Sequence, residues 1–208
     1  MNNLDESVLK VRRSIHIAAA PNRVWQEFTS KDRMDRWWGA TISNPVAGTP
    51  AGQHLVAYEP RPGGKIVMEV SMNGEPARYG GVIHTFEAGR ELTFENDWIP
   101  NRGWKTPTYM SIRLTPVLDG TLVELFHHGF EHTGGDVAAE HAGYEQGWGM
   151  TQLSALKRTV ETATWSKATA ELQRKILAEQ RQSWAGGGPG QRATVHSLDI
   201  DFGGTDGF

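Results

Sequence analysis

The chain has no cysteine. That excludes a disulfide framework, a thiol nucleophile and a cysteine-ligated zinc, and it fits a reducing cytoplasm, the location expected here. It also has no surplus of basic charge. Its 21 Lys and Arg face 24 Asp and Glu, for a formal net charge of -3, so no basic field is available to attract nucleic acid or an anionic membrane. No apolar run approaches the length needed to cross a bilayer. The start, Met1-Asn2-Asn3-Leu4-Asp5-Glu6, is polar and acidic, unlike a secretory signal. No internal repeat is present. What the chain does have is tryptophan, eight in 208 residues. Wide rigid rings with a single polar N–H suit a core and a ligand pocket equally.

The order of the parts is informative. Leu9, Val11, Ile15 and Ile17 share one parity, as a half-buried strand requires. Arg13 falls on the same parity, so its charge must be paired inside or reach water at the sheet edge; the second is expected. Pro21 fits the first turn of a short helix, with Val24, Trp25 and Phe28 as its apolar face. Ser30 or Asp32 can cap a second short helix through Met34 and Trp37. Residues 39–52 read as a loop. Alternation then marks strands around Ile66 to Met72, Tyr79 to Phe86, Leu92 to Trp98, Met110 to Leu114 and Thr121 to His127. Asn73-Gly74 and Asp119-Gly120 are turn signals, and Gly80-Gly81 marks a bulge or a close backbone approach. Consecutive hairpins predict an antiparallel meander. A long helix starts near Val137, with Asp136 as its cap. Gly143, Gly147 and Gly149 weaken its first half, and the stretch from Met150 to Ala185 holds neither Gly nor Pro. A linker, Gly186 to Gly190, precedes a strand-like tail at His196 to Phe202.

The fold class expected from this order is α+β: a curved antiparallel sheet wrapped around a long C-terminal helix, with two short helices between the first two strands. Residues 1–164 form that domain and residues 165–208 an extension. The pattern resembles the START-like superfamily, also called SRPBCC, with its helix-grip fold. The resemblance rests on Ile17-Ala18-Ala19-Ala20-Pro21-Asn22-Arg23-Val24-Trp25, Trp37-Trp38, Pro62-Gly63-Gly64-Lys65, Gly80-Gly81-Val82, His127-His128-Gly129-Phe130 and Gly147-Trp148. Together these are similar to the AHSA-type branch, whose founding members activate the ATPase of a heat-shock chaperone. The likeness spans roughly residues 8 to 163. It implies a fold and a pocket; one fold carries many functions.

A small hydrophobic or aromatic ligand between the sheet and the long helix is the function expected. Trp37 and Trp38 from the second helix, Met68, Val70, Phe86 and Phe94 from the sheet, and Trp98, Met110 and Ile112 beside them would be its walls. Tyr144 and Trp148 would close it from the long helix. Asn96 and His127 would supply polarity. His127 is the candidate catalytic group if the protein is instead an enzyme of the cyclase or hydratase type, as some members of the superfamily are. The bland alternative for His127 is a satisfied histidine bonded to the long helix, and it outweighs a ligand role. A third reading is a protein-interaction module of the chaperone-regulating kind, with a homodimer formed through the extension when the tail strand adds to a neighbour's sheet. No cofactor is expected. His127, His128, His132 and His141 look like a metal site, but adjacent strand residues point to opposite faces and no ligand spacing supports one. No Ser/His/Asp signature and no phosphate cradle between a strand and a helix are present.

Overall fold

The computed structural model describes residues 9–39, 42–43, 50–51, 53–72, 74–148 and 150–185. Strand β1 (Lys10–Ile17) leads into helix α1 (Pro21–Trp25), a single 3-10 turn (Gln26–Phe28) and helix α2 (Lys31–Trp38). Two-residue strands β2 (Ile42–Ser43) and β3 (Pro50–Ala51) pair with each other. Then come β4 (His54–Tyr58), β5 (Lys65–Met72), β6 (Glu75–Glu87), β7 (Glu91–Ile99), β8 (Thr108–Val117) and β9 (Gly120–His128). Helices α3 (Val137–Gly147) and α4 (Thr151–Ala185) close the described chain.

Seven strands form one curved antiparallel sheet in the order β1-β9-β8-β7-β6-β5-β4. It is the expected meander, with β1 laid against the last strand: Val11 pairs with His127 and Ile15 with Val123. Period-two alternation sends Leu92, Phe94 and Asn96 of β7, Met110 and Ile112 of β8, and Val123, Leu125 and His127 of β9 to one face, all of them buried. Against that face pack Val24 and Phe28, Met34, Trp37 and Trp38 of α2, and Leu153, Leu156 and Val160 of α4. Pro21 opens α1 where its missing N–H costs nothing. Ser30 caps α2 by accepting from Arg33 N, and Asp136 caps α3 by accepting from Ala139 N.

Four features depart from the sequence reading. β4 was not foreseen. It is short, only Leu55 of it is fully buried, and a bulge between Leu55 and Ala57 breaks its alternation. The strand expected from Tyr79 to Phe86 runs from Glu75 to Glu87. Its bulge lies between Ile83 and Thr85, while Gly80, at φ 139°, is the close approach: a Cβ there would strike the Ile66 carbonyl. The long helix starting near Val137 is two helices, broken between Gly147 and Thr151. Arg13 sits on the edge strand β1, as expected, but its guanidinium is paired rather than left to water alone. Its side chain is 21% exposed, and it donates to the carbonyls of Trp148 and Glu145 and to the Glu145 carboxylate.

The chain divides into two compact units, residues 1–166 and 167–208. In the second, α4 continues to Ala185, with Leu172 exposed. The Gly186 to Gly190 linker, the His196 to Phe202 strand and the Asn73 turn residue lie outside the described residues.

Candidate functional site

The site is built from the end of α2, the ends of β6 and β7, the start of β8, the end of β9 and the helix α3. Asp35 Oδ1 accepts from Leu55 N at 2.7 Å, which ties α2 to β4. Tyr58 donates to the Phe28 carbonyl at 2.7 Å and fastens the other end of that strand. Antiparallel register sets Tyr79 of β6 opposite Trp98 of β7, and Asn96 of β7 opposite Thr108 of β8.

Aromatic rings line the site as one connected set and one separate pair, Tyr79 with Trp98. Trp37 meets Trp38 at 5.3 Å between ring centroids, Trp38 meets Phe94 at 6.1 Å and Trp148 at 5.6 Å, and Tyr79 meets Trp98 at 5.9 Å. Tyr144 of α3 stands edge-on to the His127 ring at 4.4 Å. Tilted and edge-on pairs at these spacings are favourable beyond the area they bury.

His127 is fully buried and its bonding fixes its state. Trp148 Nε1 can only donate, and it donates to His127 Nδ1 at 3.0 Å. Thr108 Oγ1 lies 2.7 Å from both His127 Nε2 and the Asn96 carbonyl. A carbonyl can only accept, so the threonine hydroxyl donates to it and receives the Nε2–H. The ring is therefore the neutral Nε2–H tautomer with both nitrogens engaged. Burial, with His128 and His141 as further positive neighbours when charged, pushes its pKa down to about 3. It can take or give a proton only by breaking one of these bonds.

The thirteen residues expected at the site fall into three groups. Trp37, Met68, Phe94, Met110, Ile112 and His127 are at zero exposure and form the packed floor. Trp38, Asn96, Trp98, Tyr144 and Trp148 stand together at one end, with Trp98 and Tyr144 only partly buried. Phe86 and Val70, also partly buried, are the outliers: Phe86 packs on Trp25 at 4.9 Å, and Val70 pairs with Ala77.

The sequence reading passed over Gln53, Tyr79 and Thr108. Tyr79 and Thr108 were findable, because they fall opposite Trp98 and Asn96 once the hairpins are aligned. Gln53 precedes the unforeseen β4 and carries no periodic signal. The Trp38 indole N–H and the Gln53 amide face the Tyr79 hydroxyl closely enough to favour its ionised form, but burial outweighs them and pushes its pKa up. Neither Trp38 Nε1 nor Gln53 Nε2 completes a hydrogen bond with a described residue, and Asn96 Oδ1 is likewise without a partner among them. Burial also raises the Tyr144 pKa to about 12, with Glu140 adding to the effect, while the Asn96 amide opposes it. A buried polar atom left unbonded costs roughly 1–3 kcal/mol. Among the described residues no three His, Asp or Glu side chains are grouped as metal ligands would be.

The model of the family described as activator of Hsp90 ATPase homolog 1-like protein matches residues 18–161. Solved structures with the same architecture include a protein from Mycobacterium smegmatis, 16% identical, with a TM-score of 0.57 over 78% of this chain and 95% of its own. A protein from Arthrobacter aurescens is 19% identical, with a TM-score of 0.57 over 76% of this chain and 89% of its own. A protein from Nitrosomonas europaea is 18% identical, with a TM-score of 0.56 over 76% and 98%. At these identities the likeness is one of fold. No curated protein matches the chain.

Proposed function

The chain belongs to the family of activator of Hsp90 ATPase homolog 1-like proteins, and on that premise we propose that it binds a small hydrophobic or aromatic molecule, in the cytoplasm, between its sheet and the helices α2 and α3. One observation carries the reading. A connected set of rings, closed at Trp37, Trp38 and Phe94, runs through Trp148 and His127 to Tyr144, which is partly exposed. Apolar burial would drive binding there and the few polar groups would orient the ligand. The cyclase or hydratase alternative needs a free acid or base, and His127 has both nitrogens engaged, which favours binding over turnover.

Titration with ethylbenzene or acetophenone, followed by tryptophan fluorescence, should give saturable one-to-one quenching, and Tyr144→Ala should weaken it by about tenfold. Native mass spectrometry should retain the probe on the full chain. If no neutral aromatic saturates the signal and no molecule travels with the protein, the binding reading is lost. The family's name supports a second reading, regulation of a chaperone ATPase. Its test is whether the chain stimulates ATP hydrolysis by such a chaperone.

A further inference from the structure

The face of the sheet turned away from the helices carries a pocket of its own. Alternation sends Met110, Ile112, Leu125 and His127 inward, so Ser111, Arg113, Phe126 and His128 point the other way. Lys10 stands opposite His128, where β1 pairs with β9. These five residues line a cavity of about 190 Å³. Ser111 is its buried member, at 4% exposure.

The hydrogen bonds beneath this cavity run in one direction. Glu91 Oε1 can only accept, so Thr93, with a single hydroxyl proton, donates to it at 2.8 Å. The 2.9 Å contact between Thr93 and Ser111 must then use the serine proton. Ser111 has none left for His128, 3.2 Å away, so His128 Nε2–H is the donor there. Arg113 Nε anchors the far end by donating to Glu91 Oε2 at 3.0 Å. Ser111 is thus no nucleophile, because its proton points away from the histidine that would have to take it. His128 Nδ1 is a bare acceptor. It has no partner among the described residues and is not one of their buried unbonded atoms, so it meets water. Burial outweighs the pull of Glu131 and Glu91 and lowers the His128 pKa, with Arg113 and Lys10 adding to the effect, so the ring is neutral at neutral pH.

The charges beside that nitrogen are positive. The exposed Lys10 ammonium makes no ion pair with a described residue, and Arg113 has terminal N–H groups to spare. No carboxylate lines the pocket. Glu91 is taken by Thr93 and Arg113, and Glu131 faces His132 at 3.6 Å. We propose that this pocket binds inorganic hydrogen phosphate: its oxygens accept from Lys10 Nζ and the Arg113 guanidinium, and its hydroxyl donates to His128 Nδ1. A bare acceptor beside two cations selects an anion that still carries a proton. Sulfate has none at neutral pH, and a phosphate ester has lost most of its second, whose pKa is about 6. Either would set a lone pair against the Nδ1 lone pair. The sheet separates this pocket from the aromatic site, so the two readings stand or fall independently.

The experiment titrates the isotope-labelled full chain with phosphate, sulfate, phenyl phosphate and acetate, at neutral pH and constant ionic strength, followed by NMR. Before any anion is added, long-range proton–nitrogen correlations should show His128 as the Nε2–H tautomer; the Nδ1–H form would overturn the proposal. Phosphate should saturate, with shifts centred on Lys10, Ser111 and His128. It should bind about tenfold or more tightly than sulfate or phenyl phosphate, one missing bond at an acceptor being worth about that factor. Lys10→Met should weaken phosphate and sulfate alike, by about threefold. Thr93→Val frees the serine proton for His128 and should bring the two anions close to parity. Thr93→Ser keeps the hydroxyl and should keep the preference. Amide spectra unchanged away from the pocket show that the variants fold. Equal binding of phosphate and sulfate by the wild type overturns the acceptor role of His128, and an undiminished preference in Thr93→Val overturns the role of the chain of bonds. Tighter binding by phenyl phosphate or acetate overturns the choice of phosphate, and saturation by no anion overturns the site.

Discussion

At the scale of the residue, His127 shows how bonding removes a group from acid–base chemistry. Its imidazole accepts from Trp148 and donates to Thr108, and burial holds its pKa near 3 against 6.5 for an ordinary histidine. In the unfolded chain the ring takes up a proton below about pH 6.5; in the folded chain it does not until near pH 3. The unfolded state therefore binds more protons across that window, and the stabilisation present above pH 6.5 is lost as pH falls through it. Between pH 7 and pH 5 the wild type should lose about 2 kcal/mol more than His127→Gln does, since each proton taken up is worth about 1.4 kcal/mol per pH unit. Urea unfolding at the two pH values measures it, and equal losses in the two proteins would count against this state of the ring. Its cavity-side parity was legible in the strand alternation. Its tautomer was not, because Trp148 and Thr108 reach it from a helix end and another strand.

At the scale of the element, α3 depends on β1. Two glycines within it, Gly143 and Gly147, each cost a helix about 1 kcal/mol relative to alanine. Arg13 offsets this by filling the carbonyls of Glu145 and Trp148 and pairing with the Glu145 carboxylate. A cation at a helix C-terminus is also favoured by the aligned peptide dipoles. Arg13→Met should lower stability by about 2 kcal/mol, within the range for bonds to a charged group. Hydrogen exchange should quicken over Val137–Gly147 while β8 and β9 keep their protection; unchanged exchange in α3 would refute the dependence. The sheet-edge place of Arg13 was legible in the sequence; its pairing was not, because the carbonyls that receive it lie 132 and 135 positions away. The break between α3 and α4 was half visible in the same glycines.

At the scale of the whole molecule, the buried residues of α4 in the core, Leu153, Ala155, Leu156 and Val160, all precede Ser166, where the first unit ends. No described helix is long and apolar enough to cross a membrane. A chain ending at Ser166 should unfold cooperatively with a midpoint within a few degrees of the full protein, as a loss under about 1 kcal/mol implies. The same pair of proteins tests the homodimer proposed through residues 165–208: the full chain should elute as a dimer and the shorter chain as a monomer. The meander, the strand faces, the capped helices and the aromatic load were all readable from the sequence alone, because alternation, turn residues and caps act over a few neighbours. The course of β4, the pairing of Arg13 and the fixed state of His127 were decided only by the tertiary structure. Each depends on groups far apart in the chain, and no local period records which of them will share one buried space.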